Sequence, residues 1–294
     1  MKYYLCIDVG GSSIKYGLLN EEGYVIKTDK VVAPASLEEM YRVFENAYHS
    51  YTDFSIQGIA LSMPGAVDSQ KGIIGGSSAY DYIHGPNIKQ DLEKRLNIRV
   101  EMENDANCAA LAEVWKGAGK DVNDCCFIVS GTGIGGAVVK NKKIHKGKHL
   151  HGGEFGYMIT EVDEENMNIR TWSDLSTVNI LKEIAKIKNV SESSLDGKYI
   201  FDHYHEDEVY EKMINKYYFA MAKGIYDLQY VYDPEKIIIG GAISMRDDLI
   251  NEINKRLDII FDKLTHAKIR PHILTCEFQN EANLIGALYH FLTV

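Results

Sequence analysis

Three carboxylates, Asp8, Asp105 and Glu154, and three glycine-rich turns are the residues whose types and spacing can do chemistry here. Each turn follows an apolar strand: "DVGGSS" (Asp8–Ser13), "SGTGIGG" (Ser130–Gly136) and "GGAIS" (Gly240–Ser244). Glycine lets a backbone approach a ligand closely and reach positive φ, so that amides converge on phosphate oxygens. A tight hairpin uses the same residues, and any one turn reads equally well that way. Taken together, with hydroxyls at Ser12, Ser13 and Thr132, they favour nucleotide phosphates. Neither a dinucleotide fingerprint in context nor a GxxxxGK[ST] loop is present, because the first two turns return as strands instead of opening helices.

Asp8 ends the first strand. A carboxylate beside a polyphosphate is repelled unless a cation lies between them, which points to Mg²⁺; the bland alternative is an Asx turn. In "MENDANCAA", Asn104 and Asp105 fall where a strand meets a helix. Asp105 reads either as an N-cap or as a general base aimed at a substrate hydroxyl, with Asn104 bonding a neighbouring hydroxyl. In "HGGEFGYM", Glu154 stands in a glycine-flanked turn, either accepting sugar hydroxyls or as an exposed loop acid. His145, His149 and His151 lie close in sequence but lack a matching cysteine or carboxylate set, and read as solvated loop histidines.

The elements that must position these groups are legible in outline. "YYLCIDV", "IKYGLLN" and "YVIKTDKVV" read as a β-meander, followed by a helix whose Ser36 and Glu39 form a capping box. "IQGIALSMPG" is a buried strand, "IKQDLEKRLN" a helix, "IRVEMEN" a strand, and a helix begins at Asp105. The second half repeats the theme, with strand, glycine turn, strand and tight turn from Cys125 to Ile144, which suggests two related α/β halves. Helices are expected over 173–188, 207–232 and 245–264, a strand over 269–277, and a closing helix in "ANLIGALYHFL". The acidic stretch 161–168 reads as a surface loop.

The 294 residues exceed one compact core, and the net charge of −10 argues against nucleic acid or an anionic membrane as the main partner. The chain shows no leader pattern and no apolar run long enough to span a bilayer, so a cytoplasmic protein is expected. Its five cysteines, mostly flanked by apolar residues, read as buried free thiols.

In order along the chain, "DVGGSSIKYGLL", "SMPGAVD", "ENDANCAALAE", "SGTGIGGAVV", "GGEFGYM" and "IIIGGAIS" resemble the ROK family of sugar kinases and sugar-responsive repressors, over essentially the whole length. The resemblance implies an α/β protein of the actin-like ATPase (ribonuclease H-like) fold, with ATP and sugar meeting in a cleft between two domains. These would be residues 1–107 with 281–294, and 108–280. It implies Asp105 as the base on the sugar hydroxyl, the 6-OH of a hexose, with Asn104, Glu154, Tyr157 and Gly65 on the sugar side. Asp8, Gly10, Gly11, Ser12, Ser13 and Lys15 match the first phosphate segment, Asp8 serving Mg²⁺ through ATP. Gly131, Thr132, Gly133 and Gly135 match the second, and Gly240 and Gly241 the adenosine side. A homodimer is expected by the same analogy.

The pattern also departs from the family. Its Glu-x-Gly-His becomes Glu154-Phe155-Gly156-Tyr157, and the cysteine-rich zinc loop that should follow has no cysteine, so no structural zinc is expected. Tyr157 and Trp172 are then expected as an aromatic wall for a bulkier sugar, such as a β-glucoside. A repressor would need a helix-turn-helix ahead of the first strand, and only seven residues precede Asp8. An ATP-dependent kinase acting on glucose, N-acetylmannosamine or a β-glucoside is the expected member, and a sugar-sensing protein or transcriptional regulator without kinase activity the alternative.

Overall fold

The computed structural model describes all residues of the chain except Ser77. Two compact α/β units form, Met1–Asp121 with Lys142–Gly152 and Glu277–Val294, and Val122–Asn141 with Gly153–Cys276.

In the first unit the meander is β1 (Tyr3–Val9), β2 (Ser13–Asn20) and β3 (Val25–Val32), extended by β4 (Ile56–Met63) and β7 (Val100–Asn104). The order is β3-β2-β1-β4-β7, antiparallel across the meander and parallel from β1 to β4 to β7. Parallel neighbours need crossovers, supplied by helices α1 (Leu37–His49) and α2 (Ile88–Leu96). Ser36 caps α1 by accepting the Glu39 N–H at 3.3 Å. The Glu39 carboxylate takes the Ala35 N–H at 3.0 Å, one residue earlier than a capping box would. A small ladder, β5 (Ala66–Asp68) with β6 (Ile73–Gly75), follows β4, and β10 (Lys143–Ile144) lies in the segment that returns to this unit.

Helix α3 (Asp105–Lys116) follows β7 without a loop, and α8 (Ala282–Thr293) closes the chain. One sheet face packs Leu5, Ile7, Ile59 and Leu61 against Met40 and Phe44 of α1 and Leu92 of α2. Helix α8 packs on β1, β4 and α3. Small residues make this close: a side chain at Gly286 of α8 would overlap the Cys108 carbonyl of α3.

The second unit repeats the plan. Strands β8 (Cys125–Ser130) and β9 (Ile134–Lys140) pair antiparallel, and β13 (Lys236–Gly240) and β14 (Ile273–Thr275) add in parallel, in the order β9-β8-β13-β14. That order is the counterpart of β2-β1-β4-β7. Helices α4 (Thr177–Lys188), α5 (Gly197–Asp202), α6 (Glu208–Tyr232) and α7 (Leu249–Lys263) surround a core rich in Tyr217, Tyr218 and isoleucine.

Two of the expected elements come out differently. The stretch 161–168 is an exposed hairpin and not a plain loop: β11 (Ile159–Asp163) and β12 (Asn168–Thr171) pair around a turn at 164–167. Asp163 folds the turn by accepting the Asn166 N–H at 3.2 Å and its side-chain amide at 2.8 Å, and Met167 takes a positive φ of 52°. Arg170 braces the hairpin through Glu161 and Glu183, and Lys216 of α6 joins Glu161 at 3.1 Å. The expected helix over 173–188 breaks at Ser176, whose backbone is extended and whose side chain caps α4.

Cys6, Cys108, Cys125 and Cys126 are buried, whereas Cys276 is half-buried. Burial pushes the Cys6 and Cys126 thiols far above their usual range, so thiolate is scarce at neutral pH. Alkylation of the native protein followed by mass spectrometry should give one early adduct, at Cys276, with the other four modified only on unfolding. Rapid labelling of Cys6 or Cys126 would contradict this packing.

Candidate active site

In the first unit the carboxyl ends of three parallel strands line up. Register places Asp8 of β1 beside Ser62 of β4, and Ser62 beside Glu103 of β7, with Met63 opposite Asn104. Ligands of α/β sheets bind at this end of the strands. The alignment brings together two carboxylates that are 97 positions apart in sequence, Asp8 and Asp105. Both charges reach the Cys108 thiol, which burial, Glu103, Asp8 and Asp105 together hold well above its usual range.

Asp105 does not cap its helix. The N-cap is Asn104, whose Oδ1 accepts the Asn107 N–H at 3.1 Å, while Asp105 is the first helical residue. Asn and Asp are both good caps, and pairing with Met63 decides between them by keeping Asn104 extended. Asn104 Nδ2 donates to the Gly65 carbonyl at 3.1 Å and to Asp105 Oδ1 at 2.9 Å. Asp105 Oδ1 also takes the Ala106 N–H at 2.8 Å. Gly65 makes the turn at a φ of 93°, where a side chain would press on Ile74 and the Gly75 carbonyl. Asn104 thus ties the Gly65 turn to the Asp105 carboxylate, with both of its amide protons already used.

Asp8 Oδ1 accepts from the Ser62 hydroxyl and from Asn283 Nδ2 of α8, each at 2.8 Å. Burial raises its carboxyl above the usual range, and the bonds from Asn283 and Ser62 and the charge of Lys15 offset only part of that. An acidic oxygen donor desolvated to this degree fits a hard divalent cation, Mg²⁺ included. In the adjoining turn, Gly10 N–H bonds the Ser13 carbonyl at 3.0 Å, and the Tyr80 hydroxyl holds the Gly10 carbonyl. Gly11 and Ser12 are exposed, and among the described hydrogen bonds neither backbone N–H donates. Lys15 reaches the Asn280 carbonyl at 2.7 Å.

The second unit holds the other two turns side by side. Register sets Gly240 of β13 opposite Val129 of β8, and Gly241, at a φ of 89°, packs on the Ser130 carbonyl so closely that a side chain would overlap it. In the turn after β8, the carbonyls point inward. Thr177 donates its hydroxyl to the Gly131 carbonyl at 3.0 Å, and Ser176 to the Thr132 carbonyl at 3.0 Å. Among the described bonds the N–H groups of Thr132 and Gly133 donate to nothing. Gly135 lies just beyond, in β9.

Next to these turns is a cavity of 630 Å³ lined by Thr177, Leu181, Phe201, Ile243, Met245 and Arg246, among others. Apolar walls with a few polar groups suit a flat heteroaromatic base. Arg246 is held by Asp202 at 2.6 Å and Asp248 at 2.7 Å.

Glu154 is exposed, opens the turn Phe155–Tyr157 and makes no side-chain bond among the described residues. Tyr157 is 71 % exposed. Trp172 is not part of any aromatic wall: it is 0 % exposed, packed on Gly224 of α6 in the core of the unit. The indole is simply the largest apolar group near a glycine gap, which sequence distance from Tyr157 could not reveal. His145, His149 and His151 belong to the first unit, where His151 Nδ1 meets the His149 carbonyl at 2.6 Å. Among the described residues no three His, Cys, Asp or Glu side chains gather as a cation cage, and no helix is long and apolar enough to cross a membrane. Sequence reasoning missed Ser62, Asn283, Ser176 and Thr177. Each is a common polar residue, and only a tertiary partner marks it.

Known proteins share this arrangement. The model of the ROK family matches residues 4–294. A beta-glucoside kinase of Listeria innocua is 33 % identical over 97 % of this chain and 96 % of its own length. A beta-glucoside kinase of Listeria monocytogenes is 34 % identical with the same coverage. Among solved structures, a ROK family protein from Streptococcus pneumoniae in complex with sucrose superposes with a TM-score of 0.90 at 32 % identity, covering 99 % of this chain and 98 % of that one. The architecture is accordingly the actin-like ATPase fold. With a family model matched over residues 4–294 and relatives above 30 % identity along nearly their whole length, the chain belongs to the ROK family.

Proposed function

We propose that the protein is an ATP-dependent sugar kinase that transfers the γ-phosphate to a hexose hydroxyl, the 6-OH, of a β-glucoside. The observation that carries this reading is Asp105: the N-cap duty falls to Asn104, and Asp105 is oriented at the strand ends by the Asn104 amide. Phosphoryl transfer asks for alignment and charge neutralisation more than for covalent help. Asp105 takes the proton from the sugar hydroxyl as that oxygen bonds to the γ-phosphorus. The bond from phosphorus to the β,γ-bridging oxygen breaks, ADP leaves with that electron pair, and the proton rests on the Asp105 carboxyl.

The remaining residues bind and orient. Gly11, Ser12, Thr132 and Gly133 offer backbone amides, and Ser12, Ser13 and Thr132 hydroxyls, to phosphate oxygens, in turns that Gly10, Gly131 and Gly135 shape. Gly240 and Gly241 lead into Ala242 and Ile243, which line the cavity assigned to the base. Asp8 would hold Mg²⁺ with the nucleotide, where the cation would neutralise phosphate charge. Asn104 orients Asp105 and holds the Gly65 turn on the sugar side, and Glu154 and Tyr157 serve the sugar. Support for the β-glucoside comes from the names of the two Listeria relatives and from the exposed tyrosine in place of the family histidine.

The test is ADP formation with ATP and Mg²⁺ over glucose, N-acetylmannosamine, mannose, fructose and cellobiose. Sugar-dependent turnover is expected, with cellobiose preferred. Equal or better use of glucose would sink the β-glucoside assignment, and absence of sugar-dependent turnover would sink the kinase.

A further inference from the structure

Directly behind Asn104 and Asp105 lies a buried charge that the phosphoryl transfer does not use. Glu103 is 1 % exposed. Its Oε1 accepts the Asn104 N–H at 2.8 Å and the Asn107 side-chain amide at 3.0 Å, and its Oε2 meets Lys146 Nζ at 2.7 Å. A carboxylate this deep costs several kcal/mol of desolvation unless a cation and hydrogen bonds compensate it, roughly as here. His290 is the other candidate cation, its Nδ1 3.7 Å away. Burial pulls the His290 pKa below its usual range, against the opposing pull of Glu103, and its Nε2 has no partner among the described residues. Lys146 is therefore the compensating charge.

Lys146 makes two more bonds. It donates to the Val67 carbonyl at 3.2 Å and to the Ser69 hydroxyl at 2.8 Å. Val67 lies in β5, two residues past Gly65, whose carbonyl holds the Asn104 amide. A closed circuit results: Lys146 to Glu103, Glu103 to Asn104 and Asn107, Asn104 to Asp105 and Gly65, and β5 back to Lys146. Nζ has three N–H donors and the circuit uses all three, so the ammonium is committed to structure and is not held ready for a ligand anion.

We propose that Lys146 and Glu103 are positioning residues for Asp105 and the Gly65 turn, fixing the base and the substrate-side loop to one another. The inference rests on the reading of Asp105 as the base, and the experiment separates the two. Lys146→Met leaves Glu103 unpaired and will destabilise the fold, so it is compared with Glu103→Gln/Lys146→Met, which leaves no charge alone, and with Lys146→Arg.

The double variant is expected to recover most of the melting temperature lost by Lys146→Met. Its kcat should stay about 10–100-fold low, the scale of a misplaced catalytic geometry, with a raised sugar KM and an unchanged ATP KM. Lys146→Arg should recover much of that kcat. Amide exchange should quicken at Asn104–Asn107 and at 65–69 in the double variant while β1 and β2 stay protected, a readout that needs no activity at all. Wild-type kcat and sugar KM in the double variant, or unchanged exchange at those amides, overturns the positioning role. Loss of the kinase reading itself would show in the unaltered protein as absent sugar-dependent turnover, and the exchange result would still decide the role of the pair.

Discussion

Asp105→Ala should lower kcat for sugar phosphorylation by roughly 10²–10⁴-fold, the usual contribution of a positioned general base. The KM for ATP should stay close to its original value, because the segments assigned to nucleotide lie in other residues. The same substitution should lower the melting temperature only modestly. Asn104 supplies the N-cap of α3 by accepting the Asn107 N–H, so removing Asp105 forfeits a first-turn carboxylate together with its bonds from the Ala106 N–H and the Asn104 amide, on the order of 1–2 kcal/mol in all. Asn104→Ala provides the contrast, since it loses a cap worth about 1 kcal/mol and also frees Asp105 and the Gly65 carbonyl. Steady-state kinetics and thermal melts on both variants separate chemistry from folding. Asp105→Ala turning over sugar at the original rate would remove the proposed base.

Gly286→Ala should be strongly destabilising, because Gly286 is the single glycine of helices α3 and α8 and sits where the two pack. A Cβ at Gly286 overlaps the Cys108 carbonyl, which is backbone and cannot rotate away. Helices α3 and α8 must then move apart. Overpacking of this kind costs about 1–3 kcal/mol and occasionally more, or roughly 2–12 °C in melting temperature for a unit of this size. Activity should fall with it even where the variant remains folded. Helix α3 begins with Asp105, and α8 carries Asn283, whose amide holds Asp8 Oδ1 at 2.8 Å. Calorimetry with kinetics below the transition checks both parts. A variant with unchanged melting temperature and kcat would show that the two helices have room to spare.

Much of the site is legible in the sequence because its residue types are unusual for their places. Two glycines and two serines interrupt an apolar hairpin after Asp8, and the same interruption recurs after Ser130. Glycine turns advertise themselves, since few other residues reach their backbone angles. The boundary at Asn104–Asp105 is legible as a boundary, yet local propensity cannot say which residue caps. The β4–β7 ladder decides that by holding Asn104 extended. Hairpin β11–β12 is silent in the sequence because its stabilisation is cross-strand pairing and ion pairs to α4 and α6, with few apolar residues to signal it. Residue type alone makes Trp172 look like a binding wall, and packing on Gly224 places it in the core.

By itself the sequence determined the alternation of strands and helices, the three glycine turns, the duplicated hairpin and the acids beside them. These are local consequences of side-chain period, glycine freedom and turn chemistry. Tertiary structure alone decided which of them meet. Parallel register aligned Asp8, Ser62 and Glu103, residues from three separate strands, and α8 brought Asn283 to Asp8 from the far end of the chain. It also buried Glu103 and paired it with Lys146. Desolvation is a property of the folded interior, so no reading of neighbours along the chain could have distinguished that glutamate and that lysine from any others.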